Sequence, residues 1–201
     1  MQRYDARTAL VIVDVQNDFA DAAGSLAVAG AGPIIPRINE AIAVARLAGS
    51  TIVYTQDWHP GSTPHFAKDG GIWPVHCVGG TWGAELHPEL VVVEGAARVR
   101  KGTNGEDGYS GFMTRDPVSG ATAPTDLDGR LREGGIERVV VCGLATDYCV
   151  SATALDAIRL GYESFFLGDA VAAVNLQPGD GDRAIAAMMD AGCGPWPAAA
   201  V

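Results

Sequence analysis

The sequence predicts an α/β fold: a single-domain three-layer sandwich with a mostly parallel central sheet and helices on both faces. Three observations carry that expectation. Short β-branched runs such as Ala9-Leu10-Val11-Ile12-Val13 and Val139-Val140-Val141 contain no polar residue, as in strands buried on both faces. Segments with helical spacing of apolar residues separate those runs. The 201-residue chain is 48% hydrophobic and 19% charged, so it can bury one sizeable core and lacks a disordered composition.

The first strand is expected over 9–13. Pro33 then opens a helix whose apolar side carries Ile34, Ile35, Ile38, Ile42 and Leu47, closed by Gly49. Residues 51–55 read as the second strand. The Gly/Pro-rich excursion over 58–88 is too long for an ordinary connection and reads as a functional loop. A weaker strand is expected over 97–100, a helix over Leu127–Glu133, and the clearest strand over 138–143. A helix over 146–160 closed by Gly161, a strand over 163–167 and a last helix over 181–191 complete the order. Repeated βα units with short joins imply right-handed crossovers. One domain over 1–201 is expected, with its core at about 9–191 and an Ala/Gly-rich, loosely held tail over 192–201.

Twenty-four acidic against fourteen basic side chains leave a formal net charge of −10, which excludes the basic footprint a nucleic-acid partner requires. No stretch approaches the roughly 20 apolar residues that cross a bilayer. The N-terminus runs into the first strand with no signal-peptide layout, and four cysteines (Cys77, Cys142, Cys149, Cys193) form no CxxC pair. The expectation is a reduced, cytoplasmic protein with no membrane partner.

Open parallel sheets bind ligands beyond the carboxyl ends of their strands. The first strand delivers Asp14 there, the second Asp57, the third Lys101, and the clearest strand leads through Gly143 to Cys149. Cys149, with Thr146 or Asp147 as N-cap, falls in a first helical turn, where the dipole lowers a thiol pKa and free N–H groups can hold an oxyanion. It reads as a nucleophile or as a buried space-filler; Cys142 and Cys193 fit the second role better. Asp14, desolvated after five apolar residues, reads as a proton-exchanging acid or as a capping aspartate. Asp18, one turn on, reads as an organiser of its loop. Lys101 reads as a stabiliser of negative charge or as a solvated lysine.

Asp57, His59, His65 and His76 fall within twenty residues. Positions i and i+2 of an extended segment share a face, so Asp57 and His59 can share an ion to which the loop returns His65 and His76. Imidazoles with one carboxylate suit Zn²⁺, Fe²⁺ or Mn²⁺ and leave a position for water or substrate. His87 has no such partner and reads as structural. Phe19, Leu26, Trp73, Tyr109 and Tyr148 read either as walls of a pocket for a flat ring or as ordinary packing.

In this order, the segments DVQNDF (14–19), TQDWHP (55–60), WPVHCV (73–78), Lys101-Gly102 with GYSGF (108–112), and GLATDYCV (143–150) resemble the nicotinamidase branch of the isochorismatase-like cysteine hydrolases. The resemblance covers about 9–191 and implies an isochorismatase-like, Rossmann-like fold. It implies Asp14 as the proton-transferring carboxylate, Lys101 as its charged partner and Cys149 as the nucleophile. It implies Asp57, His59 and His76 as metal ligands, with His65 as a further ligand in some members. It also implies a cis peptide before Ala145, letting the Ala145 and Cys149 N–H groups form an oxyanion hole and placing Ala145 beside substrate. The implied activity is metal-dependent deamidation of nicotinamide to nicotinate in NAD salvage, with pyrazinamide-like amides as further substrates. The chain departs from the family at Ala22-Ala23, where a glycine pair is common. Two other readings stand beside this one: an amidase of the same family with another small amide, and a metal-binding protein whose Cys149 is a sensor thiol. Either a monomer or a homo-oligomer is compatible with the sequence.

Overall fold

The computed structural model describes residues 3–197. Strand β1 (Thr8–Val13) leads through a short helix α1 (Asn17–Ala20) to α2 (Ala31–Leu47), and β2 (Thr51–Asp57) follows. The excursion after β2 contains only two 3₁₀ turns before β3 (Ala97–Lys101). A hairpin of β4 (Met113–Arg115) and β5 (Thr122–Pro124) precedes α3 (Leu127–Glu133) and β6 (Arg138–Leu144). A π-helical turn, Thr146–Val150, continues into α4 (Ser151–Arg159); β7 (Glu163–Ala172), α5 (Asp180–Asp190) and β8 (Gly194–Pro195) close the order.

Six strands form one parallel sheet in the order β3-β2-β1-β6-β7-β8. The period-2 geometry of β1 divides its side chains between two cores. Leu10 and Ile12 pack with Ile34, Ile38 and Ile42 of α2, while Ala9, Val11 and Val13 pack with Leu127, Leu131, Ala154 and Met188 from α3, α4 and α5. Both faces of the sheet are therefore covered, which is why its central strands carry no polar alternation. The chain winds one way from β1 to β3 and the other way from β6 to β8, so the switch point lies between β1 and β6. A crevice at that point, beyond the strand carboxyl ends, is where such sheets bind ligands.

Several expectations need correction. Leu47 is exposed rather than on the buried side of α2. Five residues beyond Ile42 it has rotated about 140° around the helix axis. The third predicted helix, over 146–160, begins as a π-helical turn, and β7 runs five residues past 167. The segment after 191 is not a loose tail within its described part. Gly194–Pro195 pairs with Phe165 and Phe166, and the Trp196 ring lies 5.0 Å from that of Phe165 and 5.1 Å from that of Tyr4. Residues 198–201 of the predicted tail lie outside the described residues. The β4–β5 hairpin, exposed and only three residues per strand, carries no apolar alternation from which to read it.

Gly143, the penultimate residue of β6, has φ 109°, and a Cβ there would lie 2.2 Å from the Val13 carbonyl oxygen. Only glycine lets β6 approach β1 in that conformation. Gly143→Ala is expected to cost about 3 kcal/mol or more, lowering the melting midpoint by roughly 10 °C in a circular-dichroism scan. Gly129→Ala, in α3 with nothing within 4 Å of its Cβ position, is expected to be neutral or to stabilise by up to about 1 kcal/mol.

Candidate active site

The carboxyl edge of the sheet gathers Asp14, Asp57, Lys101 and Cys149 from four segments. Asp14 follows β1 in a left-handed conformation (φ 48°), which aspartate tolerates better than most residues. Asp57 and Lys101 are paired final residues of neighbouring strands. Parallel register thus places their side chains together. The Lys101 ammonium is 1% exposed and lies 2.8 Å from Asp14 Oδ2 and 3.6 Å from Cys149 Sγ, with an ion pair to Asp57 Oδ1.

Burial opposes the charge on Lys101, but Asp14, Asp57 and Cys149 hold its pKa well above the ordinary lysine value. Burial pushes the Asp14 carboxyl up against the pull of Lys101. Burial also acts to raise Asp57, yet Lys101, His59 and His76 outweigh it and hold this carboxyl well below the usual carboxylate range. Thr55 Oγ1 donates to Asp14 Oδ1 at 2.6 Å, while Asp14 Oδ2 receives no aligned hydrogen bond. That second oxygen is engaged by the Lys101 ammonium alone. The Asp14 carboxyl also neighbours the Cys149 thiol and acts to raise its pKa.

The expected low thiol pKa is corrected by the structure. Cys149 sits buried in the π-helical turn, at the pocket wall, and burial pushes its pKa well above the usual value despite the opposing Lys101 charge. Desolvation of a thiolate outweighs a helix-terminus effect of this kind. Thr146 and Asp147 make no side-chain cap; Asp147 instead accepts the N–H groups of Val174 and Asn175.

His59, His65 and His76 each present a ligand atom within 4.8 Å of the others. Asp57 Oδ2 lies 3.8 Å from Nε2 of both His59 and His76. The Pro74 carbonyl accepts at 2.8 Å from His76 Nδ1, so that nitrogen carries the proton and Nε2 presents its lone pair. Burial pushes His65 down to about 4, with His59 and His76 adding to the effect, and burial also lowers His76. Both ring nitrogens of His59 are buried without a protein partner. Convergent imidazoles with an orphaned buried nitrogen and an adjacent carboxylate fit a divalent transition metal. His87 lies apart, 3.8 Å from Asp21.

One pocket opens between these groups. Phe19, Leu26, Trp73, Tyr109, Ala145 and Tyr148 line it together with Cys149 and the three histidines. Trp73 Nε1 donates to the Tyr109 hydroxyl at 3.2 Å, and the Tyr148 ring stands edge-on to both aromatics. The Leu144–Ala145 peptide is cis, and the Ala145 carbonyl accepts the N–H groups of Tyr148 and Val150.

Residues 8–197 match the protein family described as the isochorismatase domain. The chain belongs to the isochorismatase family. It is 38% identical over 200 residues to the nicotinamidase of Escherichia coli (strain K12), which covers 92% of each chain. The pyrazinamidase of Pyrococcus horikoshii in complex with zinc superimposes with a TM-score of 0.84 at 41% identity, over 94% of this chain and 98% of that one. PnC1 from L. infantum in complex with nicotinate gives 0.87 at 36% identity, over 97% and 95%.

In this isochorismatase domain the pocket has walls that sequence reasoning missed: Val28, Gly108, Leu144 and Val174. Val174 was hidden because β7 was expected to end at 167, too early to bring 174 to the carboxyl edge. Gln16 was missed too. Its side-chain amide donates to the carbonyls of Asp57 and Ala84, and its Oε1 accepts the Asp57 N–H at 2.8 Å, fixing the end of β2. A glutamine adjoining a buried strand is the signal that was available.

Lys101→Met would leave two buried carboxylates without their cation. It is expected to destabilise the fold by about 3–5 kcal/mol, read from the urea midpoint. His59→Ala is expected to reduce bound metal in the purified protein by at least about tenfold, measured by elemental mass spectrometry.

Proposed function

We propose that this chain deamidates nicotinamide to nicotinate and ammonia through a thioester on Cys149, with Asp14 as proton carrier and Lys101 as its fixed counter-ion. The observation that carries this reading is the meeting of carboxylate, ammonium and thiol around one nitrogen, beside a histidine cluster in the same pocket. Relatives named nicotinamidase support it at 38–41% identity over most of the chain.

Because burial keeps the thiol protonated, attack requires a base, and the Asp14 carboxylate is the base that stands beside it. Asp14 takes the Cys149 proton as Sγ bonds to the carboxamide carbon. The oxygen that gains charge faces the Ala145 and Cys149 N–H groups. Asp14 then gives its proton to the leaving nitrogen, which departs as ammonia. A water attacks the thioester as Asp14 accepts its proton; the carbon–sulfur bond then breaks, Asp14 returns that proton to the departing sulfur to restore the thiol, and the released acid loses its proton to solvent as nicotinate. Lys101 stays protonated throughout and keeps Asp14 from retaining the proton. Asp57, His59, His65 and His76 would hold one divalent metal, with zinc the first choice and iron or manganese the alternatives. When bound, that ion supplies a Lewis-acid anchor for the ring nitrogen. Phe19, Trp73, Tyr109 and Tyr148 would sandwich and orient the flat ring, and Leu26 would close its edge.

The sensor-thiol reading is disfavoured by the site itself. A redox sensor needs an exposed, low-pKa thiol, whereas this one is buried and its pKa is raised. Product release, as the acid and ammonia, would serve NAD salvage.

Cys149→Ala is expected to lower ammonia release from nicotinamide by at least about 10⁴-fold, while calorimetry still shows ring binding and metal content is unchanged. Appreciable turnover by that variant would end the nucleophile assignment. A panel of small amides assayed with the unaltered protein tests the substrate: faster hydrolysis of a non-aromatic amide would displace nicotinamide from this proposal.

A further inference from the structure

Asp18 has no place in the mechanism above and does not line the pocket, yet it is a buried carboxylate in contact with two of the site's loops. Its Oδ2 accepts the Cys77 N–H at 2.7 Å, and its Oδ1 accepts the Ser25 N–H at 3.1 Å. Its backbone carbonyl accepts the Leu26 N–H at 3.0 Å. Cys77 follows the histidine His76 directly and holds a left-handed conformation, φ 45°, which a non-glycine residue keeps only when its surroundings demand it. Leu26 lines the pocket.

Two glycines are shaped around the same aspartate. A Cβ at Gly83 would lie 2.0 Å from Asp18 Oδ2, and one at Gly24 would lie 2.4 Å from its carbonyl oxygen. The carboxylate is thus confined between the loop that carries His76 and the loop that carries Leu26.

We propose that Asp18 is a positioning residue joining these loops: one oxygen sets Cys77 and through it His76, the other sets Ser25 and through it the Leu26 wall. Metal affinity and ring binding are then coupled through a side chain that touches neither ligand. Both oxygens must accept, because each faces a backbone N–H. An asparagine has one acceptor and turns an N–H₂ against the other donor.

Zinc titration of the metal-free protein against a chromophoric chelator tests this without turnover. Asp18→Asn is expected to weaken zinc binding about tenfold or more, the range for outer partners of metal ligands, while circular dichroism well below melting remains that of the folded protein. Gly83→Ala, whose methyl would collide with the Oδ2 that holds Cys77, is expected to weaken it likewise. Zinc affinity equal to the unaltered protein's in either folded variant would overturn the proposal. A second readout rests on the nicotinamide reading: at saturating metal, the loss in kcat/KM for Asp18→Asn falls mainly in KM, whereas a loss confined to kcat would contradict the Leu26 arm. Failure of the unaltered protein to hydrolyse nicotinamide would sink the proposed function and leave the zinc titration to decide this one.

Discussion

The interaction on which the site depends is the enclosed ammonium of Lys101. A lysine with 1% exposure survives in an α/β core only if its charge is answered, and Asp14 and Asp57 answer it from two neighbouring strands. The same contact serves two ends. It holds Asp14 beside the thiol and ties Asp57 to the histidine cluster, so the two ends of the pocket share one counter-ion. Asp57, held well below the usual carboxylate range, brings a negative charge against the histidines, and that charge would favour a cation there.

Sheet topology makes this convergence possible. β1 lies between β2 and β6, and the chain reverses its winding direction there, so the ends of β1, β2, β3 and β6 open onto one crevice. Asp57 and Lys101, 44 residues apart in the chain, are adjacent across the β2–β3 ladder. Gly143 allows β6 to close against β1 and then release the chain into the turn that bears Cys149. No membrane-crossing helix occurs among the described residues.

Burial has opposite consequences for the pocket's ionisable groups. It raises Asp14 toward the range where a carboxyl both takes and returns a proton. It also raises Cys149 and lowers His65 and His76, which favours the uncharged form of all three. A single dry environment therefore sets a protonated thiol beside imidazole lone pairs.

Sequence alone determined the α/β class and the positions of the main strands, because unbroken β-branched runs and 3.6-residue spacing are local properties. It also placed Asp14, Asp57, Lys101 and Cys149 at strand ends and crowded three histidines into one loop, since chemistry at a parallel sheet must sit at that edge. Tertiary structure decided what depends on neighbours distant in the chain. Whether Cys149 rests as thiol or thiolate follows from enclosure by four segments, which helix-terminus reasoning does not contain. Docking of 194–196 onto β7 required Phe165 and Tyr4 to be near, and the wall at Val174 required β7 to run long. The pairing of Asp18 with Cys77, 59 residues away, exists only once two loops fold over the same carboxylate.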